Sequence, residues 1–262
     1  MPIQKPFYRT CRPFLNGEYT KGGRWQYMLH KNFSHNPQHY ERAFLLIQQD
    51  LQELFAYVEP SDINLKTYSH RIQQLLMRTC VEIEANFTAI LMENEYPKQI
   101  TKKKDPKSWT ICDYHLINFS HRLSSFEARI PGWYGKQCVR KPFQNWENNH
   151  KLEWYQAYNA SKHDRQNNFM KANFNHLIDA VCGLAIVFTS QFHNNSYKPG
   201  PIGIAMEWEG YDSDDDIVSS NGDFIRVKMP TDWPIEQRYN FKWSDLKNLE
   251  NPFEAYNYTN VI

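Results

Sequence analysis

Ile72-Gln73-Gln74-Leu75-Leu76-Met77-Arg78-Thr79-Cys80-Val81-Glu82-Ile83-Glu84-Ala85-Asn86-Phe87-Thr88-Ala89-Ile90-Leu91 carries the most sustained apolar repeat in the sequence. Ile72, Leu75, Leu76, Thr79, Cys80, Ile83, Phe87, Ile90 and Leu91 recur at three- and four-residue intervals. That interval lines one side of an α-helix, whereas a strand would repeat every second residue. The stripe predicts a helix over residues 65–95. At about 100° per residue, Glu84 falls roughly 80° from the centre of the stripe and borders the core. Glu82 falls roughly 120° away on the other side, in solvent.

The same spacing recurs on both sides. Tyr40, Ala43, Phe44, Ile47, Leu51, Leu54, Phe55 and Val58 predict a helix over residues 37–58. Pro37 suits its first turn, and Glu59-Pro60-Ser61-Asp62 ends it. Ala172, Leu177, Ala180, Val181, Leu184, Ala185 and Phe188 predict a core helix over residues 168–192, with small side chains that permit close approach. Residues 146–165 also read as a helix. Residues 110–129 read as a weaker one, broken by Pro131-Gly132-Trp133. From Tyr197 onward the pattern alternates, at 202–206 and again at 224–229, and short strands are expected. The fold class is therefore expected to be mainly α, a four- to five-helix bundle with a small β-containing C-terminal segment. Residues 1–36 would form an irregular N-terminal arm, 37–195 the bundle, and 196–262 a β/loop appendage packed on it.

Composition bounds the function. A chain of 262 residues with 41% hydrophobic side chains, including 16 Tyr, 16 Phe and 8 Trp, can bury a sizeable core and is not a disordered sequence. With 30 Lys+Arg against 29 Asp+Glu the net charge is +1, so nucleic-acid binding would need a local basic patch. One local excess is Lys98, Lys102, Lys103, Lys104 and Lys107 against Asp105, either a solvated loop or a phosphate-contacting patch. The opposite excess, residues 207–216, has six carboxylates and no cation. Its Asp212-Ser213-Asp214-Asp215-Asp216 lacks the Gly and the terminal Glu of an EF-hand loop and reads as solvated.

Cys11, Cys80, Cys112, Cys138 and Cys182 are odd in number and widely spaced, with no CxxC pair for zinc or dithiol chemistry. Cys80 and Cys182 sit in apolar helical patterns as small core residues. This usage fits a reducing cytoplasm. The first twelve residues hold no apolar run of signal-peptide type. Residues 177–188, interrupted by Asp179, are too short to span a membrane, so no membrane partner is expected.

Chemistry concentrates in Trp154-Tyr155-Gln156-Ala157-Tyr158-Asn159-Ala160-Ser161-Lys162-His163-Asp164-Arg165. Asn159 and His163 are four apart and share a helix face; Tyr155 precedes them on it and Gln166 follows if the helix continues. An ordinary histidine exchanges a proton near neutral pH. Asn159 can orient it or bind a substrate oxygen, and Arg165 or Lys162 can hold a phosphate. Such a set suits metal-independent cleavage of RNA, in which a 2′-hydroxyl attacks the adjacent phosphate. Two plainer readings stay open. His163 near a helix end can simply meet terminal carbonyls and the helix dipole, or Asn159, His163 and Arg165 can form a buried hydrogen-bond network. No HExxH, GxGxxG, Walker or GxSxG pattern occurs, so no metal or cofactor is expected.

Tyr158-Asn159-Ala160-Ser161-Lys162-His163 resembles the signature of the HEPN superfamily, in which an Arg, often followed by Asn, Asp or His, precedes a His by five positions. Glu82-Ile83-Glu84 on the preceding helix resembles the corresponding helix of uncharacterised bacterial members. The resemblance covers roughly residues 40–192 and implies a helical bundle. It implies a dimeric, metal-independent endoribonuclease of the toxin or antiviral-defence kind, with RNA as substrate and an antitoxin or defence component as partner. His163, Asn159 and Arg165 would then be catalytic, and Lys162, Tyr158, Tyr155 and Glu84 would bind substrate. Other members are non-catalytic and bind RNA, nucleotides or proteins. This chain departs from the pattern at one place: Tyr158 stands where the family carries Arg, and a phenol supplies no guanidinium fork. Either Arg165 has taken over the phosphate role or cleavage is lost.

Overall fold

The structure is a computed structural model and describes residues 1–96, 105–197, 217–222 and 224–261. The lysines at 98 and 102–104, the predicted strand at 202–206 and the acidic stretch 207–216 lie outside these residues. Four long helices dominate: α1 (Pro37–Phe55), α2 (His70–Glu93), α5 (Glu153–His163) and α7 (Phe174–Phe192). Four helices of four or five residues complete the set: α3 (Ile111–Tyr114), α4 (Ile117–His121), α6 (Arg165–Asn168) and α8 (Trp243–Leu246). The chain is mainly helical, as its periodicity predicts. It carries eight helices among the described residues rather than four to five, because two predicted segments are divided and α8 lies in the C-terminal segment.

The breaks have local causes. The predicted helix over 110–129 divides into α3 and α4. Thr110 and Asp113 close a capping box at the start of α3. Arg122, at the end of α4, takes a left-handed conformation with φ 52°. The chain then runs into strand β1 (Glu127–Arg129). The predicted helix over 146–165 begins only at Glu153 and stops at His163. Asp164 leaves the helical region (φ −144°, ψ 77°) and its carboxylate accepts from the Asn167 backbone N–H at 3.2 Å. It thereby caps a new helix, the usual preference of Asp at an N-cap. Gln166 consequently does not extend the Asn159–His163 face.

Helix α7 is buried all round from Ala180 to Phe192, and α1, α2 and α5 pack on it. A helix apolar on every side belongs at the centre of a core. Its partner α2 is capped by Ser69, whose hydroxyl accepts from Ile72 N–H at 3.2 Å, and buries all nine residues of the predicted stripe. Helix α5 is pinned by Trp154, whose indole donates to the Pro142 carbonyl at 2.9 Å. Strands β2 (Val139–Arg140), β3 (Ile217–Ser219) and β4 (Arg226–Lys228) join β1 in an antiparallel sheet of order β2-β1-β4-β3. In that sheet Ala128 faces Val227, and both are buried. The predicted strand at 224–229 is thus present as β4.

The arm is irregular but not peripheral. Arg9, Arg12, Cys11, Phe14, Tyr27, Met28 and Phe33 are all buried. Backbone bridges tie Ile3 and Phe14 to Tyr239, and Phe7 to Glu254, so arm and C-terminal tail pair with each other. Arg9 donates to Glu93 Oε1 at 2.7 Å, Gln191 Oε1 at 2.6 Å and the His35 carbonyl at 3.1 Å. Among the described residues Arg12 meets no carboxylate. It donates to the Ser120 carbonyl at 2.7 Å and the Gln237 carbonyl at 3.3 Å, among the rings of Phe7, Trp233 and Tyr256. Glu41 of α1, also buried, accepts from Asn221 at 2.7 Å, Ser196 at 2.8 Å and the Tyr197 backbone at 2.8 Å. No helix among the described residues is long and apolar enough to cross a membrane.

Candidate functional site

Helix α5 sorts its polar residues by direction. Trp154, Tyr155, Ala157, Tyr158 and Ser161 face the core, Asn159 is half-buried, and Lys162 and His163 are exposed. On the inner side the Tyr155 hydroxyl donates to Glu84 Oε1 of α2 at 2.7 Å. Its ring lies 5.5 Å from that of Tyr158. Burial, and then the contact with Glu84, raise the Tyr155 phenol far above its ordinary value. Burial raises Tyr158 as well. Both stay protonated at neutral pH and act as hydroxyls rather than bases. The Cys80 thiol beside Glu84 and Lys162 is likewise held neutral by burial.

Lys162 bridges inside and outside. Its ammonium donates to Tyr158 Oη at 3.1 Å and sits 5.0 Å from the centre of that ring. The hydrogen bond to Tyr158 raises the lysine's pKa, because it favours the charged form. Beyond Lys162 an open groove of about 740 Å³ separates α5 from α2. Ser161, Lys162 and Arg165 form one wall; Gln73, Gln74, Met77, Arg78, Val81 and Glu82 form the other. Arg78 also pairs with Asp50 of α1. Glu82 is half-buried, not solvated as its helical angle predicts, and burial raises its pKa. Asn86 donates to its carboxylate at 3.3 Å.

The predicted site therefore divides in three. Lys162 and Arg165 line the groove. Glu84, Tyr155 and Tyr158 make a network beneath it; Tyr155 and Tyr158, expected to bind substrate, are 5% and 1% exposed and support the wall from inside. Asn159 and His163 are not among the groove's lining residues, and His163 has no hydrogen-bond or ion-pair partner among the described residues. The buried-network reading does not describe His163 or Arg165, which are exposed. Arg78 is the residue whose place the motif does not reveal. Its signal is a second stripe on α2, Gln74, Met77, Arg78, Val81 and Glu82, at the same three- and four-residue spacing as the core stripe. The other arginine at a helix end, Arg122 of α4, is paired with Asp232 and lies against Trp233, away from the groove's lining.

Among the described residues no group of three or more His, Cys, Asp or Glu side chains is placed to hold a metal ion. The groove offers cations, amides and apolar surface, which is chemistry for an anionic ligand with flat or apolar parts. No protein-family model, curated protein or solved structure matches this chain.

Proposed function

We propose that the chain is a HEPN-like helical protein whose α2–α5 groove binds single-stranded RNA, acting as a binding module rather than as a nuclease complete in one chain. The observation that carries this reading is the convergence of Arg78, Lys162 and Arg165 on one open groove, against a single lining carboxylate, Glu82. Cations gathered on one groove supply sequence-independent affinity for phosphates, and Met77 and Val81 offer apolar surface to base faces. Gln73 and Gln74 add amides able to meet base edges. The motif resemblance points to the same ligand. A cytoplasmic setting, where RNA is met, goes with it.

The test is fluorescence anisotropy of a labelled single-stranded RNA 12-mer at low salt. Wild-type protein is expected to bind. The double variant Lys162→Ala/Arg165→Ala should lose about ten-fold or more in affinity while keeping its melting temperature, since two phosphate contacts are removed. Equal affinity of wild type and double variant would end this reading.

One observation favours a second reading. His163 is exposed at the end of α5, one turn beyond Asn159, with no side-chain partner among the described residues. In a homodimer, two such histidines can meet one RNA strand, and the pair would cleave it in the manner of a toxin or antiviral effector, held in check by an antitoxin-like partner. Incubation of RNA with the protein in EDTA measures this directly. Cutting that disappears in His163→Ala supports it; intact RNA, or cutting unchanged in His163→Ala, leaves the binding module alone.

A further inference from the structure

The position at which the chain departs from the motif, Tyr158, touches the groove only through another residue. Its side chain is 1% exposed, yet its hydroxyl accepts from the Lys162 ammonium one helical turn later, and its ring lies under the same ammonium. Lys162 is otherwise a long, exposed side chain free to sample many rotamers. A carboxylate capable of drawing it inward is close by: Glu84 favours the charged form of Lys162 and disfavours ionisation of the two phenols. Glu84 Oε1, however, already accepts from the Tyr155 hydroxyl at 2.7 Å. Lys162 thus rests on a neutral phenol rather than in an ion pair. An ammonium has three N–H donors. Tyr158 takes one, and the other two have no acceptor among the described residues and lie on the groove wall.

We propose that Tyr158 is a positioning residue: with Tyr155 and Glu84 behind it, it replaces the motif's arginine by a phenol–lysine pair that presents the Lys162 cation to a phosphate of the groove's ligand. The proposal rests on the RNA-binding reading of the groove for its ligand, and on the Tyr158–Lys162 geometry alone for its mechanism. A buried tyrosine cannot supply the missing charge. It holds in place the charge of a residue four positions on, without neutralising it.

Tyr158→Phe removes the hydroxyl and keeps the ring. Two measurements on the full chain decide the matter. In the free protein, the Lys162 13Cε resonance is followed by NMR as pH is raised. Its midpoint should fall in Tyr158→Phe, because the hydrogen bond favouring the ammonium is gone. With the RNA 12-mer, Tyr158→Phe should weaken binding about five-fold in the wild-type background and not at all in Lys162→Ala, since an ordered cation is what is lost. A merely structural tyrosine would lower affinity equally in both backgrounds and leave the lysine midpoint unchanged, and either result overturns the proposal. If the wild-type protein binds no RNA, the groove reading falls, and the lysine titration decides alone. A lowered midpoint then upholds the positioning of Lys162, and an unchanged one overturns it.

Discussion

At the scale of single residues, the most consequential titratable group is one that no motif marks. His121 is buried at the end of α4, with Nε2 2.9 Å from the Arg9 carbonyl and Nδ1 2.7 Å from the Ser120 hydroxyl. A carbonyl only accepts, so Nε2 carries the proton and the unprotonated Nδ1 faces the Ser120 hydroxyl. Burial pushes the imidazole down from its ordinary 6.5 to about 3, and the neighbouring Arg12 and Arg9 cations push the same way. In the unfolded chain the ring takes up its proton at the ordinary value, while in the folded chain it resists until about pH 3. The stability this histidine confers is therefore complete above pH 6.5 and is lost as pH falls toward 3, by at most about 1.4 kcal/mol per unit. Urea unfolding across that window should show wild type weakening steadily and His121→Gln, less stable at neutral pH, with a flatter profile; parallel profiles would contradict this. His163, by contrast, is exposed, and its replacement by Ala should leave stability within about 0.5 kcal/mol of wild type.

Among the elements, α2 carries both the fold and the candidate site, on two different faces. One stripe packs on α7; the other, through Met77, Arg78, Val81 and Glu82, faces Lys162 and Arg165. Glu82 is the discordant member. Burial raises its pKa, so its ionised form costs stability above the folded pKa, and the cost is relieved as pH falls through it. Glu82→Gln should raise the melting temperature at neutral pH and tighten RNA binding about three-fold by removing a like charge from the ligand's path. Weaker binding by the variant would argue that the groove takes something other than an anion. The long elements were legible because α1, α2 and α7 repeat their apolar spacing over many turns. The short ones were not. Helices α3 and α4 have four and five residues, too few to display a period, and the strands have two or three. Asp164 is a recognisable N-cap, yet the continuous polar pattern through it reads as one helix where there are two. Periodicity also placed Glu84 correctly at the core border but set Glu82 in solvent, because a helical angle does not reveal what a neighbouring helix covers.

In the whole molecule, the arm and the tail are parts of the core. Arg9 reaches Gln191 of α7, Gln191 donates to Asn86 of α2 at 3.1 Å, and Asn86 donates to Glu82 in the groove wall. A buried polar chain thus links the first residues to the candidate site. None of it is legible in the sequence, since Arg9 and Arg12 are satisfied by a carboxylate, carbonyls, an amide and rings from distant segments rather than by any local pattern. Deleting the first 14 residues strips Glu93, Gln191 and the Ser120 carbonyl of their buried partners, each costing about 1–3 kcal/mol, and should abolish cooperative unfolding. A truncated chain with a sharp, wild-type melting transition would contradict this. The proposed path of RNA between α2 and α5 can be read by photo-crosslinking. A 4-thiouridine-bearing single-stranded RNA is irradiated with the full chain and the modified peptides are mapped. Crosslinks within residues 73–82 and 161–165 are the predicted result; crosslinks confined to the lysine-rich residues 98–107, or spread evenly over the surface, would contradict it.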